Sequence, residues 1–189
     1  GMAPLYNHGH ADALSVTLHI NGKQILIDPG TYRYNGAPGS RKYFKGTRAH
    51  NTVTVDGRDQ ALQETGFIWS QPYNVRLIKH KQADGGHYLQ ASHDGYSRPQ
   101  GPLTHFRALA WFPDEGFIIK DTFEGAGDHE FEITYHIHPS AVVNEDNGWW
   151  MAVNQKVRVF MRLLPGDVFT STSGQKNPPF GWYSSEYGI

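Results

Sequence analysis

The chain has no cysteine among its 189 residues, so no disulfide framework holds it, and any zinc site must use His and carboxylate ligands. An excess of one charge is also missing. The 17 basic and 18 acidic residues leave a net −1, and the sequence pI is near 6.9, which removes the electrostatic footprint of a general nucleic-acid binder. Long hydrophobic runs are absent. Ile25-Leu26-Ile27 and Ala108-Leu109-Ala110-Trp111-Phe112 fall far short of the ~20 apolar residues a membrane-spanning helix needs, and no signal peptide is visible. Helical periodicity is scarce: no window of helical length keeps a 3.6-residue period without meeting a Gly or Pro. What the chain does have is turn formers and core material. It carries 21 Gly and 11 Pro, and it is 38 % hydrophobic and 13 % aromatic, too much for a disordered chain. The length suits one core, so a single domain over residues 1–189 is expected. Gly1 ahead of Met2 is an odd natural start and reads as a cloning remnant, so the chain is expected to be an excised piece and the missing signal peptide carries no weight.

The periodicity present is that of strands. Leu14, Val16, Leu18 and Ile20 alternate with polar residues, and Asn21-Gly22 turns the chain into Lys23–Ile27. Asp28-Pro29-Gly30 stops that strand, and His50–Val55 alternates again up to Asp56-Gly57. Further strand-like runs are Ile68–Ile78, His87–His93, Thr104–Trp111, Phe117–Phe123, His129–His138 and Lys156–Leu163. Asp84-Gly85-Gly86, Pro113–Gly116, Gly125–Asp128, Asn147-Gly148 and Pro165-Gly166-Asp167 separate them. Short strands with such punctuation read as an all-β, antiparallel two-layer β-sandwich. Arg33–Arg48 is polar and long, and it reads as an irregular, functional loop.

Two constellations can carry chemistry. Asn7-His8-Gly9-His10-Ala11-Asp12 places two imidazoles and a carboxylate in six residues. In an extended stretch His8 and His10 would share a side, so both could face one metal, or one a metal and the other a substrate. Two exposed loop histidines are the plainer reading. Asp28 ends an apolar strand and either caps its Asp-Pro-Gly turn or binds a cation. His50 opens a strand beside it, and a His/Asp/His set suits Zn²⁺. The second constellation, Thr31–Asn35 with Arg41–Lys45, gathers four cations and three phenols. An acidic sugar is bound by such groups: guanidinium for its carboxylate, aromatic faces for its ring, a phenol for proton transfer. A solvated loop with tyrosines packed on a sheet is the alternative.

Ordered blocks along the chain resemble a known family. They are His8-Gly9-His10-Ala11-Asp12-Ala13-Leu14-Ser15, Asp28-Pro29-Gly30-Thr31-Tyr32, Tyr43-Phe44 and Ala49 through Gly57. His93-Asp94-Gly95-Tyr96, Glu124-Gly125-Ala126-Gly127, Gly181-Trp182-Tyr183-Ser184 and Tyr187-Gly188 continue the series. Together they resemble the heparinase II/III-like polysaccharide lyases. The resemblance implies the antiparallel β-sandwich that follows an N-terminal α/α toroid, with β-elimination of uronic-acid polysaccharides such as glycosaminoglycans or alginate in the cleft between the two. It implies that His8 and Tyr43 are catalytic, that Arg33, Tyr34 and Arg41 bind substrate, and that His10, Asp28 and His50 hold a structural Zn²⁺. The partners it implies are the acidic polysaccharide and the toroid, with no nucleic acid or membrane, and it admits a homodimer. A periplasmic or secreted bacterial location goes with it. Because part of the catalytic machinery of relatives lies in the toroid, the chain alone is expected to be inactive.

Other histidines carry less. His19 reads as exposed, and His136 and His138 read as a half-exposed sheet face rather than a second metal site. His80, His87, His93, His105 and His129 show no constellation. Of Trp149-Trp150, at most one can offer a stacking face to a sugar. The competing reading is a non-catalytic carbohydrate-binding or scaffold module with a structural metal, which would need no imidazole at His8. A cupin-type metal enzyme is a distant third, because Leu14 and Ser15 stand where its pattern wants Glu.

Overall fold

The computed structural model describes residues 6–98, 101–164 and 169–189. Strands dominate, at 44 % against 6 % helix, and the ladders among the described residues pair antiparallel, the composition of an all-β sandwich. In chain order the strands are β1 (Leu18–Ile20), β2 (Lys23–Leu26), β3 (Val53–Val55), β4 (Leu62–Gln63), β5 (Trp69–Ser70), β6 (Val75–Ala83), β7 (Gly86–His93) and β8 (Leu103–Phe112). They continue as β9 (Gly116–Gly125), β10 (Phe131–Ile133), β11 (Val142–Asp146), β12 (Trp149–Asn154), β13 (Val157–Met161), β14 (Gln175–Lys176) and β15 (Pro179–Phe180). Among the described residues, no helix is long and apolar enough to cross a membrane. The turn expected at Pro165-Gly166-Asp167 and the Gly1-Met2 start lie outside the described residues.

Contacts divide the chain into two compact units. The first joins the residues up to Leu14 with Thr54–Glu132, and the second joins Ser15–Val53 with the residues from Ile133 onward. The chain passes between them after Leu14, within β3 and within β10.

The first unit is built on the antiparallel sheet β6-β7-β8-β9. Along β8, buried Leu103, His105 and Arg107 alternate with half-buried Thr104, Phe106 and Ala108, so one face of that end of the sheet points inward. A separate apolar cluster of Ala11, Ala61 and Trp69, flanked by Tyr6 and Tyr73, packs the N-terminal segment into this unit. The run Ile68–Ile78 is two strands rather than one. Gln71 takes a left-handed φ of 52° and Pro72 offers no N–H, so the ladder stops after Ser70 and resumes at Val75.

The second unit rests on the hairpin β1-β2 and the meander β11-β12-β13. Asn21-Gly22 and Asn147-Gly148 have positive φ at both residues, the conformation that matches a two-residue turn to strand twist. Ile25, Ala152, Val157 and Val159 form the core, with Leu18, Ile20, Ile137, Val143 and Met161 around it. β1 is shorter than its alternation predicts. The chain before it pairs with Asn51 instead: Asn51 donates from Nδ2 to the carbonyls of Val16 (2.7 Å) and Ile27 (2.9 Å), and its Oδ1 accepts the His136 N–H.

The expected irregular loop Arg33–Arg48 contains a helix, α1 (Pro38–Lys45). Pro near its N-terminus and Lys42 and Lys45 in its last turn are standard helix signals. Its buried face is Arg41, Phe44 and Lys45, at i, i+3 and i+4. Two cations on the inward face hide the amphipathic pattern from a hydropathy reading. Burial, with Arg41 one turn away, pushes the Lys45 amine down to about 8.

Candidate functional site

The His8–Leu14 segment, in the first unit, is held by side chains rather than by a strand ladder. His8 lies in a turn that Gly9 closes by donating to the Tyr6 carbonyl (2.9 Å), so the extended geometry assumed for His8 and His10 does not apply. The Trp69 indole donates to the Gly9 carbonyl (2.9 Å), and the Tyr73 hydroxyl to that of His10 (3.4 Å). Gln60, fully buried, mimics a neighbouring strand: its Oε1 accepts the Ala13 N–H (2.7 Å) and its Nε2 donates to the Ala13 carbonyl (3.1 Å). Arg107 Nη1 donates to the carbonyl of Leu14 (2.8 Å), itself at φ 60°. Burial and the nearby Asp12 carboxylate push the Tyr73 phenol up to about 12, so it stays a donor at neutral pH. His8 is exposed and His10 half-buried on this pinned backbone.

Behind Arg107 runs a buried polar relay. The Gly95 N–H donates to His93 Nδ1 (3.1 Å), His93 Nε2 faces His105 Nδ1 (3.0 Å), and His105 Nε2 faces Asp121 Oδ1 (2.7 Å). A backbone N–H can only donate and a carboxylate can only accept, so the chain assigns both rings as neutral Nε2–H tautomers. Arg107 grips the same carboxylate with two bonds, Nε to Oδ1 at 2.7 Å and Nη2 to Oδ2 at 3.0 Å. Burial pushes His93 down to about 3 and lowers His105 as well. Burial alone would raise Asp121, but the bonds from His105 and Arg107 outweigh it and hold the carboxyl below its ordinary range.

In the second unit, Asp28 caps its turn with one oxygen and meets His50 with the other. Oδ1 accepts the Gly30 N–H (2.9 Å) and caps the turn, while Oδ2 lies 3.0 Å from His50 Nδ1. Gly30 is required there. Its φ is +87°, and a Cβ would sit 2.4 Å from the Ser184 carbonyl oxygen. His50 is fully buried at the exit of the 3-10 turn Thr47–Ala49, its N–H on the Thr47 carbonyl (3.0 Å) and its own carbonyl receiving Thr134 Oγ1 (2.7 Å).

His136 departs from the half-exposed face expected of it. It is buried, its Nε2 meets the Arg48 carbonyl (3.1 Å), and burial pushes it down to about 4. His138 accepts the Ser140 N–H at Nδ1 (3.1 Å), so these two rings serve separate partners.

The basic, aromatic loop is ordered around α1. Arg41 is 2 % exposed, beneath the Tyr34 ring (4.8 Å), and burial lowers its pKa. Arg33 and Tyr34 are exposed. Tyr43 is half-buried, its hydroxyl 3.5 Å from the Trp182 N–H, and burial raises its phenol, so it is a neutral proton donor.

The family model for the C-terminal domain of heparinase II/III-like proteins matches residues 1–189. The chain belongs to this family. An alginate lyase of Stenotrophomonas maltophilia (strain K279a) is 24 % identical over 205 residues, covering 90 % of this chain and 27 % of the relative. A heparin-sulfate lyase of Bacteroides stercoris is 22 % identical over 186 residues, covering 95 % of this chain and 25 % of the relative. The chain therefore spans about a quarter of the length of the curated relatives it matches. No solved structure gives a significant match.

Within this heparinase II/III-like domain, the histidines, the Asp-Pro-Gly turn and the basic loop stand out as motifs, but the residues that hold them do not. Gln60, Trp69, Tyr73 and Arg107 act on backbone carbonyls many positions away and leave no spacing signature. The His93–Asp121 relay does have a signal: in register, His93 pairs with His105 and Arg107 with Asp121, which puts all four on one sheet face.

Proposed function

We propose that the chain is the β-sandwich part of a polysaccharide lyase that, in the intact protein, cleaves uronic-acid polysaccharides by β-elimination. Membership of the heparinase II/III-like family along all 189 residues carries this reading. The relatives named for alginate and heparin sulfate agree on the substrate class, since both polymers carry uronates.

In this reading a base removes the C5 proton of the uronate, the electron pair forms the C4–C5 double bond, and the C4–oxygen bond breaks with protonation of the departing oxygen. The C5 proton is weakly acidic while the adjacent carboxylate is negative, so neutralising that carboxylate lowers the barrier. His8, exposed on a backbone that four side chains hold, suits the role of the base that takes the C5 proton. Tyr43, kept neutral by burial, is suited to protonate the leaving oxygen. Exposed Arg33 and Tyr34 suit the carboxylate and the sugar ring, and buried Arg41 adds positive field from beneath Tyr34.

His10, Asp28 and His50 would hold a structural zinc ion. Asp28 and His50 suit this: Asp28 Oδ2 and His50 Nδ1 are 3.0 Å apart, and two zinc ligands at tetrahedral angles lie about 3.3 Å apart. Bound there, zinc supplies fixation of the histidine-bearing backbone rather than an activated water.

The test is His8→Ala in the full-length protein, with uronate polysaccharide as substrate and the ultraviolet absorbance of the unsaturated product as readout. Loss of cleavage with retained folding and retained zinc is expected. Undiminished cleavage would favour a non-catalytic module. The isolated chain should release little or no unsaturated product.

A further inference from the structure

The segment Gly181–Gly188 is tied to the loop that follows Asp28 by a series of bonds. Ser184 N–H donates to the Pro29 carbonyl (2.9 Å) and Gly188 N–H to that of Tyr32 (3.0 Å). In return Tyr34 N–H donates to the Tyr187 hydroxyl (3.3 Å), and Arg33 Nη2 to the Gly188 carbonyl (3.1 Å). Arg33 lies so close against Gly188 that a Cβ on that glycine would stand 2.9 Å from Arg33 Nε, and its φ of +83° also excludes larger residues. The guanidinium is thereby held in one place while remaining exposed.

The result is a small platform. The rings of Tyr34 and Tyr187 lie 5.8 Å apart, tilted by 33°, and are 38 % and 62 % exposed. Exposure on that scale is costly for two adjacent aromatics unless something covers them, and a sugar presents an apolar face of C–H groups suited to that contact. Arg33 lies over the Tyr32 ring (5.3 Å) and reaches the carbonyl of Gly188, next to Tyr187, with one of a guanidinium's five donors. Arg41 beneath Tyr34 adds a second, buried positive charge. Aromatic faces near an anchored, exposed guanidinium match a ring that bears a carboxylate, which a neutral sugar lacks.

We propose that Tyr187, with Tyr34 and Arg33, forms a subsite for one uronate residue, the two rings against the sugar face and the Arg33 guanidinium on its carboxylate. This rests on the acidic-polysaccharide reading of the loop but not on cleavage. Tyr187 is the new residue. Its hydroxyl orders Tyr34, and its ring does the binding.

The test is titration of the chain with a mannuronate tetrasaccharide and, separately, a heparan-sulfate tetrasaccharide, followed by calorimetry and by NMR of the Arg33 side chain. Millimolar or tighter binding of at least one is expected, with cellotetraose bound far more weakly. Tyr187→Ala should weaken binding roughly fivefold, and Tyr187→Phe, which keeps the ring, should retain most of it. Gly188→Ala should weaken it by displacing Arg33, with the thermal unfolding of each variant reporting any loss of fold. No binding of either acidic probe, equal binding of cellotetraose, or unchanged affinity in folded Tyr187→Ala would overturn the proposal. Binding that stands while the full-length protein releases no unsaturated product from a uronate polysaccharide would sink the lyase reading and leave this subsite in place.

Discussion

Consider the urea stability of the chain at about pH 7.5 and again at about pH 5, a window in which carboxylates of ordinary pKa, about 4, stay ionised. In the first unit His93 titrates across this window. His105, also lowered by burial, adds a loss of the same sign, and His129, raised by its bond to Asp56, acts in the opposite sense. The ordinary His93 pKa of 6.5 falls to about 3 in the fold, where the ring is enclosed and already committed at both nitrogens, to Gly95 and to His105. Between those values the unfolded chain binds a proton that the folded chain refuses. Stability therefore rises with pH and is lost as pH falls from about 6.5 towards 3. At about pH 5 the unfolded imidazole is about 97 % protonated and the folded one about 1 %, which gives a slope of about 1.3 kcal/mol per pH unit. Integrated over the window, His93 removes about 2 kcal/mol. His136, pushed down to about 4 in the second unit, removes a similar amount by the same arithmetic. The variant His93→Gln separates the two, because it keeps an acceptor for Gly95 and a donor for His105 but does not titrate. Urea unfolding of this variant should recover about 2 kcal/mol of the drop that the unchanged chain suffers. An equal drop in both proteins, or no drop in the unchanged chain, would refute the relay as a neutral, enclosed chain of hydrogen bonds.

Two further outcomes follow from the second unit. Asn51→Ala removes three buried bonds at once and leaves the Val16 and Ile27 carbonyls and the His136 N–H without it, so a loss of about 3 kcal/mol or more is expected in urea unfolding. A change below 1 kcal/mol, to within about half a unit, would show that water takes over those groups. Zinc at a hundredfold excess over its dissociation constant should stabilise the chain by about 2.7 kcal/mol, and Asp28→Asn or His50→Ala should abolish the shift. A stabilisation that survives in both variants would place the metal elsewhere.

Legibility in the sequence divides along a physical line. Turns were readable because their chemistry is local: Asn21-Gly22 and Asn147-Gly148 need positive φ at adjacent residues, and the residues themselves advertise it. Helix α1 was not, because hydropathy expects apolar residues inward, and here Arg41 and Lys45 are the buried ones. At Asp28 the turn role was legible because it is local, whereas the contact to His50 was not. A carboxylate has two oxygens, and the fold aims one at the turn and the other at a residue 22 positions away. The same logic explains why the supports of the His8–Leu14 segment were invisible. A side chain that bonds a backbone carbonyl reads no side chain at its target, so Gln60, Trp69, Tyr73 and Arg107 imprint no pattern on the residues they hold. Residues that do chemistry cluster because chemistry is short-ranged and motif-like, whereas residues that hold them come from wherever the fold passes. Substitutions at Gln60 or Arg107 should accordingly disturb the histidine segment as strongly as changes within it, although nothing in their sequence neighbourhood marks them as functional.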